Sequence, residues 1–181
     1  MVIDIINLQS AGNEAETIRQ CIEYFGFQVR LYPVGRPQDL IDYLKGTSRQ
    51  IGFTDYIILS AHGDDLGFIL PALSLELYKE AEPRSTFLPD QILEYGNLHK
   101  ECVISTACIA GIDTMAEAFL EANASSYISP NKEIEGNASL IFIQQFFYLL
   151  STSKYSIQEI FERAQDLDDE TGAFQIWRQG V

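Results

Sequence analysis

Apolar and polar positions alternate along this chain in blocks whose period switches between that of a strand and that of a helix. "VIDIINL" (2–8) is a short apolar run of strand length. After it, Ala15, Ile18, Ile22 and Phe25 fall at helical spacing, and Gly26 suits a helix stop. "FQVRLY" (27–32) alternates as a strand does. Pro37 stands where a helix starts, Leu40, Ile41 and Leu44 make one face, and Gly46 closes it. "YIILS" (56–60) is the third strand, and "GFILPALSLELY" (67–78) reads as a hairpin or an irregular excursion. "PDQILEYGN" (89–97) predicts a short helix and "CVISTA" (102–107) the fourth strand. Asp113 reads as the cap of a helix running through Phe119 and Ala122, before a fifth strand, "SSYIS" (125–129). Asn137 is placed to cap the very apolar helix that follows. Ser156 and Glu159 form a capping box ahead of Ile157, Ile160 and Phe161. "GAFQIW" (172–177) closes the chain as an edge strand. No internal repeat, low-complexity tract or long linker interrupts the series.

Strands alternating with helices imply an α/β sandwich of three layers, a mostly parallel sheet of about six strands with helices on both faces. A length of 181 residues, 46% of them hydrophobic, suits one domain over 1–181 with a single well-filled core. In such sheets the loops at the carboxyl ends of the strands form the ligand crevice. "YIILSAHGDD" (56–65) and "CVISTACIAG" (102–111) are both apolar or small runs that stop on a reactive side chain, His62 and Cys108. If their strands are neighbours, with axes about 4.8 Å apart, the two side chains meet over one edge of the sheet. A thiolate is a good nucleophile, and an imidazole beside it can help to form it and then protonate a leaving amine. The helix from Asp113 is expected to aim its amino end at Cys108, favouring negative charge there. Gly63 lets backbone approach a substrate closely, and its N–H with that of Cys108 can form an oxyanion hole.

Each residue taken alone has a blander reading. A lone histidine at a strand end is more often a loop residue than a catalyst, and a lone cysteine is usually a small core residue. The pair at matched strand ends is what raises the functional reading. His99 and Cys102 have no further ligands at useful spacing, so no metal site is expected. Cys21 reads as core, and Asp64 and Asp65 as a solvated turn. "SAGNEAE" (10–16) has a single glycine and is no phosphate cradle, and "SYISP" lacks the glycines of a nucleophile elbow. Twelve Lys and Arg against 26 Asp and Glu give a net charge of −14, which repels phosphate backbones and excludes nucleic-acid binding through a basic surface. "ASLIFIQQFFYLL" is too short, and too interrupted by Gln144 and Gln145, to span a bilayer. The amino terminus has no basic start, and three cysteines form no even set. Both point to a reducing, cytoplasmic setting with free thiols.

An apolar strand ending in His-Gly, followed by another ending in Ala-Cys, resembles the caspase-like cysteine peptidases of clan CD. Here these motifs are "YIILSAHG" and "VISTAC", and Cys108 follows His62 by 46 residues, near the roughly 50 of caspases. "GNEAETIRQCIEYFGFQV" is similar to the first helix and second strand of that fold. The chain departs from the caspase motif itself: Thr106 stands where Gln precedes Ala-Cys, and Gly111 comes three residues after the cysteine rather than two. "STACIAG" is closer to the CHAT branch of the clan, whose back end tends to read as an apolar helix, a helix rich in Ala and a strand ending near Gly, an order that 137–180 resemble.

The resemblance implies a caspase-like (flavodoxin-like) fold and a peptidase that forms a thioester at Cys108 with help from His62, without metal or cofactor. The helical repeats that often precede CHAT domains are not seen, so a separate regulatory protein, or self-association through an edge strand, would supply control. The alternative reading is a pseudo-peptidase whose crevice binds a peptide or protein. A small-molecule amidohydrolase on a flavodoxin-like sheet is a third, disfavoured by the His-Gly motif. In some relatives an acid just before the cysteine lines the specificity pocket, whereas Ser105 and Thr106 are neutral. Asp64, Asp65 and Asp113, with Glu133 and Glu135, are expected to gather at the crevice mouth and favour a cationic guest.

Overall fold

The computed structural model describes residues 1–8, 11–49, 54–80 and 82–180; Ser10 of "SAGNEAE" lies outside them. The chain runs β1 (Val2–Asn7), α1 (Glu14–Tyr24), β2 (Gln28–Pro33), α2 (Pro37–Leu44), β3 (Tyr56–Ser60), β4 (Phe68–Ile69), β5 (Thr86–Phe87), α3 (Pro89–Tyr95), β6 (Cys102–Ser105), α4 (Asp113–Glu121), β7 (Ser126–Pro130), α5 (Gly136–Thr152), α6 (Ile157–Gln165) and β8 (Phe174–Arg178). Six strands form one sheet in the order β2-β1-β3-β6-β7-β8, all parallel except β8, which runs antiparallel to β7 at the edge. The excursion after β3 is a two-stranded antiparallel ribbon, β4 with β5, and a short 3₁₀ turn at Leu75–Leu77.

Pleat parity sorts the core into two layers. Alternate residues of a strand face opposite sides, so Tyr56 and Ile58 of β3 with Cys102 and Ile104 of β6 pack against α1, α5 and α6. Ile57, Leu59 and Val103 point the other way, to α2, α3 and α4. Phe142 of α5 stacks on Phe174 of β8 at 3.8 Å, closing the first layer over the sheet edge. The expected three-layer α/β architecture with helices on both faces is the one observed.

Two helices begin earlier than their polar residues suggest. Asp113 is the first residue of α4 rather than its cap, which is Ile112; the Asp113 carboxylate instead accepts the indole N–H of Trp177 on β8 at 3.0 Å. The cap of α5 is Glu135, and Asn137 lies within the first turn. The Ser156–Glu159 capping box on α6 forms as expected. The apolar run of β1 hides a buried acid, Asp4. It lies directly across from Arg30 of β2, with a 2.6 Å bond between them, and takes two more from Tyr43 and Thr54.

Candidate active site

The register of β3 on β6 sets the geometry of the site. Tyr56 pairs with Cys102 and Leu59 with Ser105. Carried past the strand ends, the same offset sets Ser60 beside Thr106 and His62 beside Cys108. The two reactive residues therefore leave neighbouring strands at the same level. Parity then assigns their face: His62 follows Ile58 and Ser60, and Cys108 follows Ile104 and Thr106, all on the α1/α5 side. Here the two open into one cleft of about 470 Å³, shared with Glu14, Thr106, Glu135 and Asn137. The cleft sits beside the point where the strand order reverses, between β1 and β3, where open α/β sheets hold their ligands.

His62 is exposed and Cys108 half-buried. The Cys108 thiol donates to the carbonyl oxygen of Ile134 and accepts the N–H of the same residue, each at 3.5 Å. The next residue, Ile109, is held at φ +62°, a left-handed conformation that a β-branched side chain rarely adopts. The turn that presents the thiol is thus strained, held in part by the Ile109 N–H donating to the Lys132 carbonyl at 3.3 Å. Gly63 and Gly111 permit the turns to pack. A Cβ on Gly63 would stand 2.4 Å from the Cys108 carbonyl oxygen, and one on Gly111 2.5 Å from that of Ser129. The close approach at Gly63 is therefore to the neighbouring turn.

Among the described residues lining the cleft, none comes from α4. That helix covers the opposite layer, so the expectation that its amino end serves Cys108 does not hold. The amino ends that line the cleft belong to α1, at Glu14, and α5, at Gly136 and Asn137. Of the acids expected at the mouth, Glu135 lines the cleft while Asp64, Asp65 and Asp113 do not. Asp64 builds its own turn: its carboxylate accepts the N–H groups of Leu66 and Gly67 at 2.9 and 3.0 Å and the Thr86 hydroxyl at 3.2 Å. Asp65 and Glu133 are exposed. Cys102 is buried in the sheet, and desolvation pushes its thiol up to about 11; burial also raises Cys21. Among the described residues no group of three or more His, Cys, Asp and Glu side chains is placed to hold a metal ion.

Glu14 was missed by the sequence reading. Its carboxylate accepts the Ser60 hydroxyl at 2.6 Å and the Thr106 hydroxyl at 2.8 Å. The Thr106 oxygen also accepts the Ala61 N–H at 3.3 Å. Burial raises the Glu14 carboxyl above the usual range, while the two hydroxyls and the nearby His62 act in the opposite direction. In sequence Glu14 looks like an ordinary acid in a helix's first turn, a favourable place for one. The rule that ligand crevices lie beyond carboxyl strand ends was the one signal pointing to the loop after β1.

No family model matches this sequence, and no curated protein matches it. Solved structures do. The pro- and mature-domain complex of Porphyromonas gingivalis RgpB matches with a TM-score of 0.63 at 10% identity, over 99% of this chain and 47% of that one. The separase–securin complex of Saccharomyces cerevisiae matches with 0.58 at 11% identity, over 98% of this chain and 11% of that one. The structure of drICE matches with 0.56 at 14% identity, over 98% of this chain and 86% of that one. This chain thus spans about half of the RgpB chain and a small part of separase. These neighbours are cysteine peptidases of the caspase-like clan. At such low identity the likeness speaks for the fold, and the fold is caspase-like.

Proposed function

We propose that the protein is a cysteine endopeptidase in which Cys108 is the nucleophile and His62 the general acid and base. The observation that carries this reading is the level emergence of the two residues from β3 and β6 into one cleft. His62 takes the thiol proton as sulfur attacks the scissile carbonyl carbon and the C–S bond forms. The carbonyl oxygen becomes an oxyanion, met by the N–H groups of Gly63 and Cys108. As the oxyanion collapses the C–N bond breaks, and the proton passes from His62 to the leaving amine. Water, deprotonated by His62, then attacks the thioester; the acid is released and the proton returns to sulfur.

Within the clan we place the chain in the CHAT branch, on "STACIAG". We read its setting as cytoplasmic, on the free thiols Cys21, Cys102 and Cys108; among the described residues no helix is long and apolar enough to cross a membrane. The RgpB structure is a complex with its pro-domain and the separase structures are complexes with securin. Both support a protein regulator, with a peptide or protein as substrate. A positional peptide library is the test, run beside the Cys108→Ala variant and an electrophilic probe for Cys108. Cleavage lost in the variant, with Cys108 labelled in the wild type, is the expected result. An unlabelled Cys108 and no cleavage at any regulator tried would leave the binding-module reading in its place.

A further inference from the structure

The cleft holds one half-buried acid that the dyad chemistry does not use. Ser60 and Thr106 are the last level pair on the α1/α5 face before His62 and Cys108, each two residues ahead of its reactive neighbour. Both hydroxyls bond the same Glu14 oxygen, Oε2, at 2.6 and 2.8 Å. A single carboxylate on α1 therefore ties together the ends of the two strands that carry the reacting pair. It lies close enough to His62 for their charges to interact. The titratable groups facing it are His62 from the turn after β3, Cys108 from the turn after β6, and Glu135 at the start of α5. On α1 itself, Glu16 is paired with Arg19, and no Lys or Arg is among the described residues lining the cleft.

We infer that Glu14 is a positioning residue for the pair. As a carboxylate it fixes the spacing of the two turns through Ser60 and Thr106. This rests on the reading of His62 and Cys108 as the reacting residues. The role is conditional on pH. When Glu14 gains a proton the negative charge beside His62 is lost, and burial moves that event above the ordinary carboxylate range. Activity would then fall on the acid side as Glu14 protonates.

The chain has two histidines, His62 and the exposed His99, so ring NMR signals provide both a reporter and an internal control. In Glu14→Gln, which keeps an acceptor oxygen but not the titrating group, the acidic inflection that Glu14 imposes on the His62 ring shifts should vanish while the His99 shifts are unchanged. The kcat should drop roughly tenfold or more, with KM within about twofold. In the wild type the His62 ring shifts should show a second, acidic inflection that His99 lacks. A folded variant that keeps the acidic inflection, or keeps the wild-type kcat, would overturn the proposal and leave the peptidase reading intact. Absence of the acidic inflection in the wild type would overturn it whether or not the variant folds. Because the NMR titration needs no substrate, it tests the role of Glu14 even if no peptide is cleaved.

Discussion

Gly63 has no Cβ, and one placed there would stand 2.4 Å from the Cys108 carbonyl oxygen and 3.0 Å from the Ala107 methyl group. Neither neighbour can move without shifting the turn that presents the thiol. Gly63→Ala should therefore cost about 1–3 kcal/mol of stability and lower kcat more than it raises KM, read from thermal melts and steady-state kinetics. A folded variant with wild-type kcat would show that the two turns need not touch. The cysteines separate by burial. Cys108→Ala should abolish cleavage, and His62→Ala nearly so, with both proteins folded. Cys21→Ala and Cys102→Ala should keep activity, the latter with a melting temperature lowered by lost packing. With iodoacetamide near pH 8, mass spectrometry should find Cys108 alkylated well before Cys102, which is buried and whose thiol is pushed up to about 11. Should Cys102 prove the essential thiol, the assignment of Cys108 fails.

Elements are joined here by buried charge as well as by apolar packing. The long excursion between β3 and β6 is tied to the start of α2 by Glu82. Its carboxylate accepts from the Arg36 guanidinium at 2.7 and 2.8 Å and from the N–H groups of Lys79 and Gln38. The Arg36 bonds hold the Glu82 carboxyl down at about 2, below its ordinary 4.5. A carboxyl lowered on folding stabilises the native state above its unfolded value, and the contribution is lost as pH falls through the folded one. The tie should thus be complete above about pH 4.5 and disappear toward pH 2. Glu82→Gln should lower the melting temperature at pH 7 and shrink the loss of stability between pH 5 and pH 2. Equal pH dependence in variant and wild type would mean that the ion pair contributes nothing. Because neither Arg36 nor Glu82 lines the cleft, peptide cleavage at pH 7 should change little.

At the scale of the whole molecule, a net charge of −14 surrounds a cleft whose acidic lining, among the described residues, is Glu14 and Glu135. The residues from which a cationic preference was expected do not line the cleft: Asp64 is committed to its turn and Asp113 to Trp177, so any such preference has to come from Glu14 and Glu135. Fields in a partly dry cleft act on a guest more strongly than on open surface, and salt weakens them. Peptides with Arg before the scissile bond should therefore show higher kcat/KM than matched peptides with Asp, and the ratio should shrink from low salt to 1 M. A preference for Asp, or for Leu without salt dependence, would refute the field argument and leave the choice of nucleophile untouched.

Much of this was legible along the chain because it is local. Strand and helix periods follow from backbone geometry, so β3 was read at its observed limits, 56–60, and β6 to within two residues. With the alternation of elements came the parallel sheet, and with it the carboxyl edge on which His62 and Cys108 had to lie. What the sequence left open depends on which face of the sheet each helix covers and on partners distant in the chain. The amino end lining the cleft beside Cys108 belongs to α5 rather than α4, because α4 packs on the other side of the pleat. Asp113 and Asn137 looked like caps because a short polar residue before an apolar run is the usual sign of one, yet backbone geometry placed each a step or two inside its helix. Asp4 sits within an apolar run and is tolerated there because Arg30 lies across from it on β2 and the Tyr43 and Thr54 hydroxyls bond to it as well. Glu14 reads in one dimension as an acid in a helix's first turn; folding brings it to Ser60, 46 residues away, and to Thr106, 92 residues away. Residue type and period determine the elements, whereas the partners of a buried charge are chosen only when the layers close over it.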